Sequence, residues 1–232
     1  MIISYDYRHG TGNDRGASGY VIEETVVREY GNICVNELIR NGHTLVNCTP
    51  SGNMTLQESL SYRVKKSDAS GAALHLCFHA NAFKSTNDAM GSEMEVASDA
   101  GAKYGQSILT EVCKLGFKSR GVKRPSLYVT GHTKAICVLL EPFFVDSKAD
   151  CNLYNPNSMG FAIAKGVIHI IGGTVKVETK PIINRILELQ KVCNRVGIRG
   201  ADDKALIEDG LDGLNTQSAK SKLKIYIDNI LS

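Results

Sequence analysis

Three apolar runs in this chain end on residues that ionise or bind metals. Ile2-Ile3-Ser4-Tyr5-Asp6-Tyr7 leads into Arg8-His9. Leu74-His75-Leu76-Cys77-Phe78 leads into His79. Ala135-Ile136-Cys137-Val138-Leu139-Leu140 leads into Glu141. Histidine titrates near neutrality and is the commonest metal ligand. A carboxylate placed directly after an apolar run is costly to desolvate without a partner. Ligands of open α/β sheets sit outside the carboxyl ends of the strands, so the three ends are read as one site. Two histidines and two carboxylates from separate segments meet the needs of a zinc hydrolase. Such a site has three protein ligands with one position left for water. The metal draws the water's pKa towards neutrality and polarises the carbonyl under attack. A carboxylate outside the ligand set carries the proton to the leaving nitrogen. His9, Glu23 and His79 are the candidate zinc ligands, and Glu141 the candidate general base and acid. Local readings compete with this one. No compact H-E-x-x-H motif is present, His79 alone would pass for a satisfied histidine at a strand end, and Glu23 also suits the positive end of a helix.

The elements that must position these groups alternate. After the first strand comes a glycine-rich loop, Gly10 to Gly19. A helix follows from Glu23, with Val26, Val27, Tyr30, Ile33, Cys34, Leu38 and Ile39 at helical spacing and Gly42 as its stop. Residues 43–48 read as a strand. Thr55-x-x-Glu58 is a capping box for a helix with Arg63, Lys65 and Lys66 on its polar side. The His79 strand is followed by a short strand, 91–96, and a helix capped by Ser98. Residues 126–130 read as a short strand, 135–140 as the last long one, and 159–171 as an apolar helix stopped by Gly172-Gly173. This order predicts an α/β fold: a largely parallel twisted sheet with helices on both faces. The expected domains are a catalytic domain over 1–174 and a small all-helical module over 181–232, with 174–180 read as a linker or an edge extension. In the module, 182–196 reads as an amphipathic helix, 202–208 as a short helix, 209–213 as a turn, and Thr216 as the cap of a last helix. About fifty residues is marginal for an independent core, so the module is expected to lean on the main domain or on a second copy of itself.

Composition excludes several classes. A net charge of +3 over 232 residues, with 43% hydrophobic and 22% charged residues, is ordinary for a globular protein. No basic run or aromatic-basic stripe suggests nucleic acid. No stretch approaches a membrane span, and because the first residues already read as a strand, no signal peptide is expected. The seven cysteines are odd in number and form no C-x-x-C pair, which argues for free thiols and a reducing compartment.

The pattern Asp6-x-x-His9-Gly10, Asp14-x-Gly16-Ala17-x-Gly19, Glu23, Phe78-His79-Ala80-Asn81-Ala82, Gly91-x-Glu93, and Leu139-x-Glu141-x-Phe143-Phe144-x-Asp146 resembles the zinc-dependent N-acetylmuramoyl-L-alanine amidases, in order over residues 1–172. The resemblance implies cleavage of the amide between muramic acid and L-alanine in bacterial peptidoglycan. It implies Zn²⁺ on His9, Glu23 and His79, with Glu23 preferred over Glu24, and Glu141 as catalytic carboxylate. The chain departs from the family's usual Pro-Gly at Tyr7-Arg8 and from its usual lysine at Glu24. The missing signal peptide and the small module resemble a bacteriophage endolysin, made in the host cytoplasm and released to the wall when a holin opens the membrane. The module is faintly similar to helical peptidoglycan-binding domains; a purely structural or dimer-forming role is the alternative. Two rival functions are a zinc peptidase acting within the stem peptide and a wall-binding protein without catalysis.

Other polar residues carry weaker signals. Asn81 and His132 are candidate substrate contacts, against a structural hydrogen bond and a solvated loop histidine. His75 reads as a core histidine, with a role in orienting His79 as the alternative. Arg120, Lys123 and Arg124 form a basic cluster that could meet peptide carboxylates or stay solvated.

Overall fold

The computed structural model describes residues 1–9, 11, 15–172, 182–207 and 216–223, apart from the side chains of 182–188. The chain divides into two compact units, Met1–Lys176 and Val177–Ser232.

In the first unit, strands β1 (Ile2–Tyr7), β2 (Thr44–Asn47), β3 (Leu74–Phe78), β4 (Ser92–Val96), β5 (Ser119–Lys123) and β6 (Ile136–Glu141) form one sheet in the order β2-β1-β3-β6-β4-β5. All pairings are parallel except β4 against β6. The period-two alternation of a strand sorts the side chains. Ile3 and Tyr7, Leu74, Leu76 and Phe78, and Val138 and Leu140 face the main core. That core is completed by helices α1 (Glu23–Arg40), α3 (Asp99–Cys113) and α6 (Pro156–Ile171). Cys77, Cys137 and Leu139 face the other way, towards Val64 of α2 (Leu56–Ala69) and Val129 of α4 (Tyr128–His132). Helices therefore cover both faces, as the alternation of elements predicts. The α3–α6 contact is close: a Cβ on Gly166 would lie 2.4 Å from the Ile108 Cα.

Several elements differ from the sequence expectation. Residues 128–132 are helical, not part of a strand. The β-branched Val129 and Thr130 suggest extended chain, but Val129 buries against the α2 face, and Thr130 and Thr133 hydroxyls turn back onto the Leu127 and Val129 carbonyls at 3.3 and 2.7 Å. The basic cluster lies on or beside the edge strand β5, where charge discourages further pairing. Helix α5 (Lys148–Leu153) is set by Ser147, which caps the Asp150 N–H at 3.1 Å.

Arg63 is the largest departure. Read as a residue of the polar side of α2, it is fully buried. Its Nη1 donates to Asp6 Oδ1 and, at 2.9 Å, to the Tyr7 carbonyl. The other Asp6 oxygen meets His75 Nε2 at 2.9 Å, and His75 Nδ1 meets Ser4 Oγ at 2.8 Å. His75 is thus a satisfied core histidine. Burial alone would raise the Asp6 pKa, but Arg63 and His75 outweigh it and hold the carboxyl below the ordinary range. Removing one member of such a pair strands a buried charge, so Arg63→Met should cost about 3–5 kcal/mol in denaturant unfolding. The depressed Asp6 pKa also fixes a sign. Its stabilisation is complete above about pH 5 and is lost progressively as pH falls towards the folded-state value. Urea midpoints at pH 7 and pH 3 should therefore differ more in the wild type than in Asp6→Asn.

In the second unit, α7 (Ile182–Arg195) and a helical segment, 216–223, surround a small cluster of Cys193, Ile198, Leu206 and Ala219. Residues 202–207 are not helical: the Asn194 side chain exchanges two hydrogen bonds with the Leu206 backbone, at 2.8 and 2.9 Å, and Asp203 has φ 60°. Thr216 Oγ1 accepts from Gln190 Nε2 at 3.1 Å. The expected linker, the turn at 209–213, and the last helix beyond residue 223 lie outside the described residues. So do Gly10 and Asp14 of the glycine-rich loop.

Candidate metal centre and active site

The carboxyl ends of β1, β3 and β6 and the start of α1 bring His9, Glu23, His79 and Glu141 together. Helix α1 begins with Glu23 almost fully buried, at 4% exposure. Its oxygens are held by main-chain donors, Ala17 N–H to Oε2 at 2.9 Å and Ala80 N–H to Oε1 at 3.2 Å. Its neighbour Glu24 turns away to pair with Arg15 at 2.9 Å. His9 follows β1 in a left-handed conformation, φ 65°, with its carbonyl accepting from Arg28 Nη2 at 3.0 Å. The Tyr30 hydroxyl donates to the His79 carbonyl at 2.5 Å and fixes the end of β3.

His9 Nε2 lies 3.1 Å from Glu23 Oε2, and His79 Nδ1 lies 3.5 Å from Glu23 Oε1. One ligand atom from each of the three residues falls within 4.8 Å of the others. Bonds of about 2.0–2.1 Å in a tetrahedron give ligand–ligand edges of roughly 3.3–3.4 Å, so this donor set fits a zinc-sized ion. Glu141 Oε1 lies 3.7 Å from His79 Nδ1, and its Oε2 is buried with no hydrogen-bond partner. Burial, followed by the Glu23, Glu95 and Glu93 charges, pushes the Glu141 pKa well up. Burial would raise Glu23 too, but His79 and His9 draw it below the ordinary range. For His79, burial outweighs Glu23 and lowers the pKa, which favours the neutral imidazole that a metal requires.

His75, Cys77 and Cys137 form a second group with metal-ligand atoms within 4.8 Å of one another. Both His75 ring nitrogens are already engaged by Ser4 and Asp6. Cys77 and Cys137 are buried on the α2 face of the sheet, among Val64, Val129 and Leu139.

Of the weaker candidates, Asn81 Nδ2 donates to Glu93 Oε1 at 2.9 Å, and Arg120 Nε donates to Glu93 Oε2 at 2.8 Å. Asn81 is therefore tied to β4 beside the site. His132 ends α4, stacked on Tyr128 with ring centroids 4.2 Å apart. Sequence reasoning missed Gly16 as a site residue. At φ +74° it passes so close that a Cβ would lie 2.5 Å from His9 Cδ2 and 2.9 Å from Glu23 Oε2.

The fold is an α/β domain whose mostly parallel sheet gathers His9, Glu23, His79 and Glu141 at its carboxyl edge, where ligands of such sheets sit. The family model described as N-acetylmuramoyl-L-alanine amidase matches residues 4–172, and the chain belongs to that family. Its activity is hydrolysis of the muramoyl–L-alanine amide of peptidoglycan. Among solved structures, the catalytic domain of the CD27L endolysin targeting Clostridia difficile is 26% identical, with a TM-score of 0.66, covering 73% of this chain and 97% of that one. The amidase AmiC2 of Nostoc punctiforme (22% identity, TM-score 0.64) covers 73% of this chain and 97% of its own. The CwlV catalytic domain of Bacillus (Paenibacillus) polymyxa var. colistinus (21%, TM-score 0.62) covers 75% and 100%. These last two share the fold. No curated protein sequence matches. No helix among the described residues is long and apolar enough to cross a membrane.

Proposed function

We propose that the amidase is zinc-dependent, with His9, Glu23 and His79 as ligands and Glu141 as proton carrier, and that it serves as a bacteriophage endolysin. The observation that carries the ligand assignment is the 3.1 and 3.5 Å spacing of the two imidazoles about one carboxylate, itself fixed by two backbone amides. Zinc bound there would lower the pKa of water and polarise the scissile carbonyl. Glu141 takes a proton from the attacking water and delivers it to the leaving L-alanine nitrogen. Its raised affinity for protons suits the second half of that task. Asn81, bonded to Glu93 of β4, is the proposed substrate contact; His132 ends α4 before β6 begins, at the opposite end of that strand from Glu141, and is given no such role. The endolysin reading rests on the relative in that role, with release through a holin-opened membrane and wall binding by residues 181–232 as its further parts.

Digestion of purified walls tests the cleavage site. Mass spectrometry should find intact stem peptides with a free L-alanine amine. Fragments cut within the stem would replace the amidase by a peptidase. Gly16→Ala should weaken zinc binding by about 10–100-fold, as loss of ligand support commonly does, read by competition with a chromogenic chelator. Unchanged zinc affinity would remove Gly16 from the site.

A further inference from the structure

The register continues past the last paired residues. Tyr7 pairs with Phe78 and Phe78 with Leu140, so the next residues, Arg8, His79 and Glu141, form a lateral row across β1, β3 and β6. The Arg8 N–H to Phe78 carbonyl bond at 3.1 Å and the His79 N–H to Leu140 carbonyl bond at 3.1 Å hold that row. Strand alternation puts all three side chains on the face of Asp6 and Cys77. Arg8 is only partly exposed, and its Nε is buried with no hydrogen-bond partner. Every other arginine near the site is engaged: Arg63 by Asp6, Arg28 by the Glu24 and His9 carbonyls, Arg15 by Glu24, and Arg120 by Glu93. Among the described residues, no hydrogen bond or ion pair reaches the Arg8 guanidinium. Its charge nevertheless reaches both His79 and Glu141.

A half-buried cation without a partner is unfavourable. Beside a site that already binds a cation it is more so, unless the reaction brings an anion. We propose that Arg8 is the anion-binding group of this active site and takes an anionic oxygen of the substrate. Two oxygens share that chemistry. One is the attacked carbonyl oxygen, which becomes negative as water adds to the amide carbon. The other is a carboxylate of the stem peptide close to the cleaved bond. Preorganised positive charge aimed at a developing oxyanion typically contributes 10²–10³ in rate. A fixed guanidinium also suits a carboxylate, by bidentate pairing. The inference rests on the metal and base assignments proposed above.

The test uses the full chain and its Arg8→Gln, Arg8→Gly and Arg8→Lys variants, with a soluble N-acetylmuramoyl-peptide as substrate. We expect Arg8→Gln to lose about 10²–10³ in kcat/KM, with zinc content unchanged and Tm unchanged or raised, because an unpaired charge has been removed. Added methylguanidinium should partly restore Arg8→Gly. A loss confined to kcat identifies the carbonyl oxygen. A rise in KM that disappears when the peptide carboxylates are amidated identifies the stem peptide. Arg8→Gln within about threefold of wild type, or a loss that follows zinc content or Tm, would overturn the inference. His79→Ala, measured alongside, separates this from failure of the metal assignment: if it stays active, the ligand set is wrong whatever Arg8 does.

Discussion

Glu141→Gln should lose at least 10²–10⁴ of the wall-lysing rate, the usual contribution of general acid–base catalysis, while holding its zinc. The amide keeps the size of the carboxylate and fills the same space at the end of β6. It cannot accept the proton of the attacking water, nor return one to the leaving nitrogen. Glu141 Oε2 has no structural bond to lose, so the substitution removes chemistry rather than support. Stability should hold or rise, because burial and three neighbouring carboxylates all disfavour the charge at this position. Turbidity loss of purified walls, with metal content and Tm measured on the same preparation, checks all three quantities. Lysis at the wild-type rate would remove Glu141 from the mechanism.

His79→Ala should abolish activity by a different route, through loss of the ion. Removing one of three ligands leaves Glu23 and His9 alone, and Glu23 would lose the larger of the two imidazole influences that hold its pKa down. The variant should purify with well under one equivalent of zinc. A chelator should silence the wild type in the same way, with recovery on adding Zn²⁺. Full zinc content in His79→Ala would place the metal elsewhere. The cluster of His75, Cys77 and Cys137 is the alternative that the fold offers.

Much of this site is legible in the chain because its residues violate local expectations. His79 and Glu141 stand where apolar strands should give way to a plain turn, and they do so at sheet positions that share an edge. Glu23 is less legible: an acid at a helix start has an ordinary electrostatic use, and only the fold shows that it is buried while Glu24 is not. Arg63 misleads for a similar reason. On α2 it sits among lysines, and nothing local announces that Asp6, 57 residues away, waits under the helix. Gly16 and Arg8 depend on close approach and on register, and neither is visible in residue type. The stretch at 126–130 shows propensity overridden by burial of Val129 and by threonine hydroxyls that bond back along the chain.

Crystals of the zinc-loaded protein, measured on both sides of the zinc absorption edge, decide where the ion binds. One anomalous peak is expected, bounded by His9 Nε2, a Glu23 oxygen and His79 Nδ1, with Glu141 next to it and unbound. A peak among His75, Cys77 and Cys137 instead, or none at the strand ends, would contradict the ligand assignment.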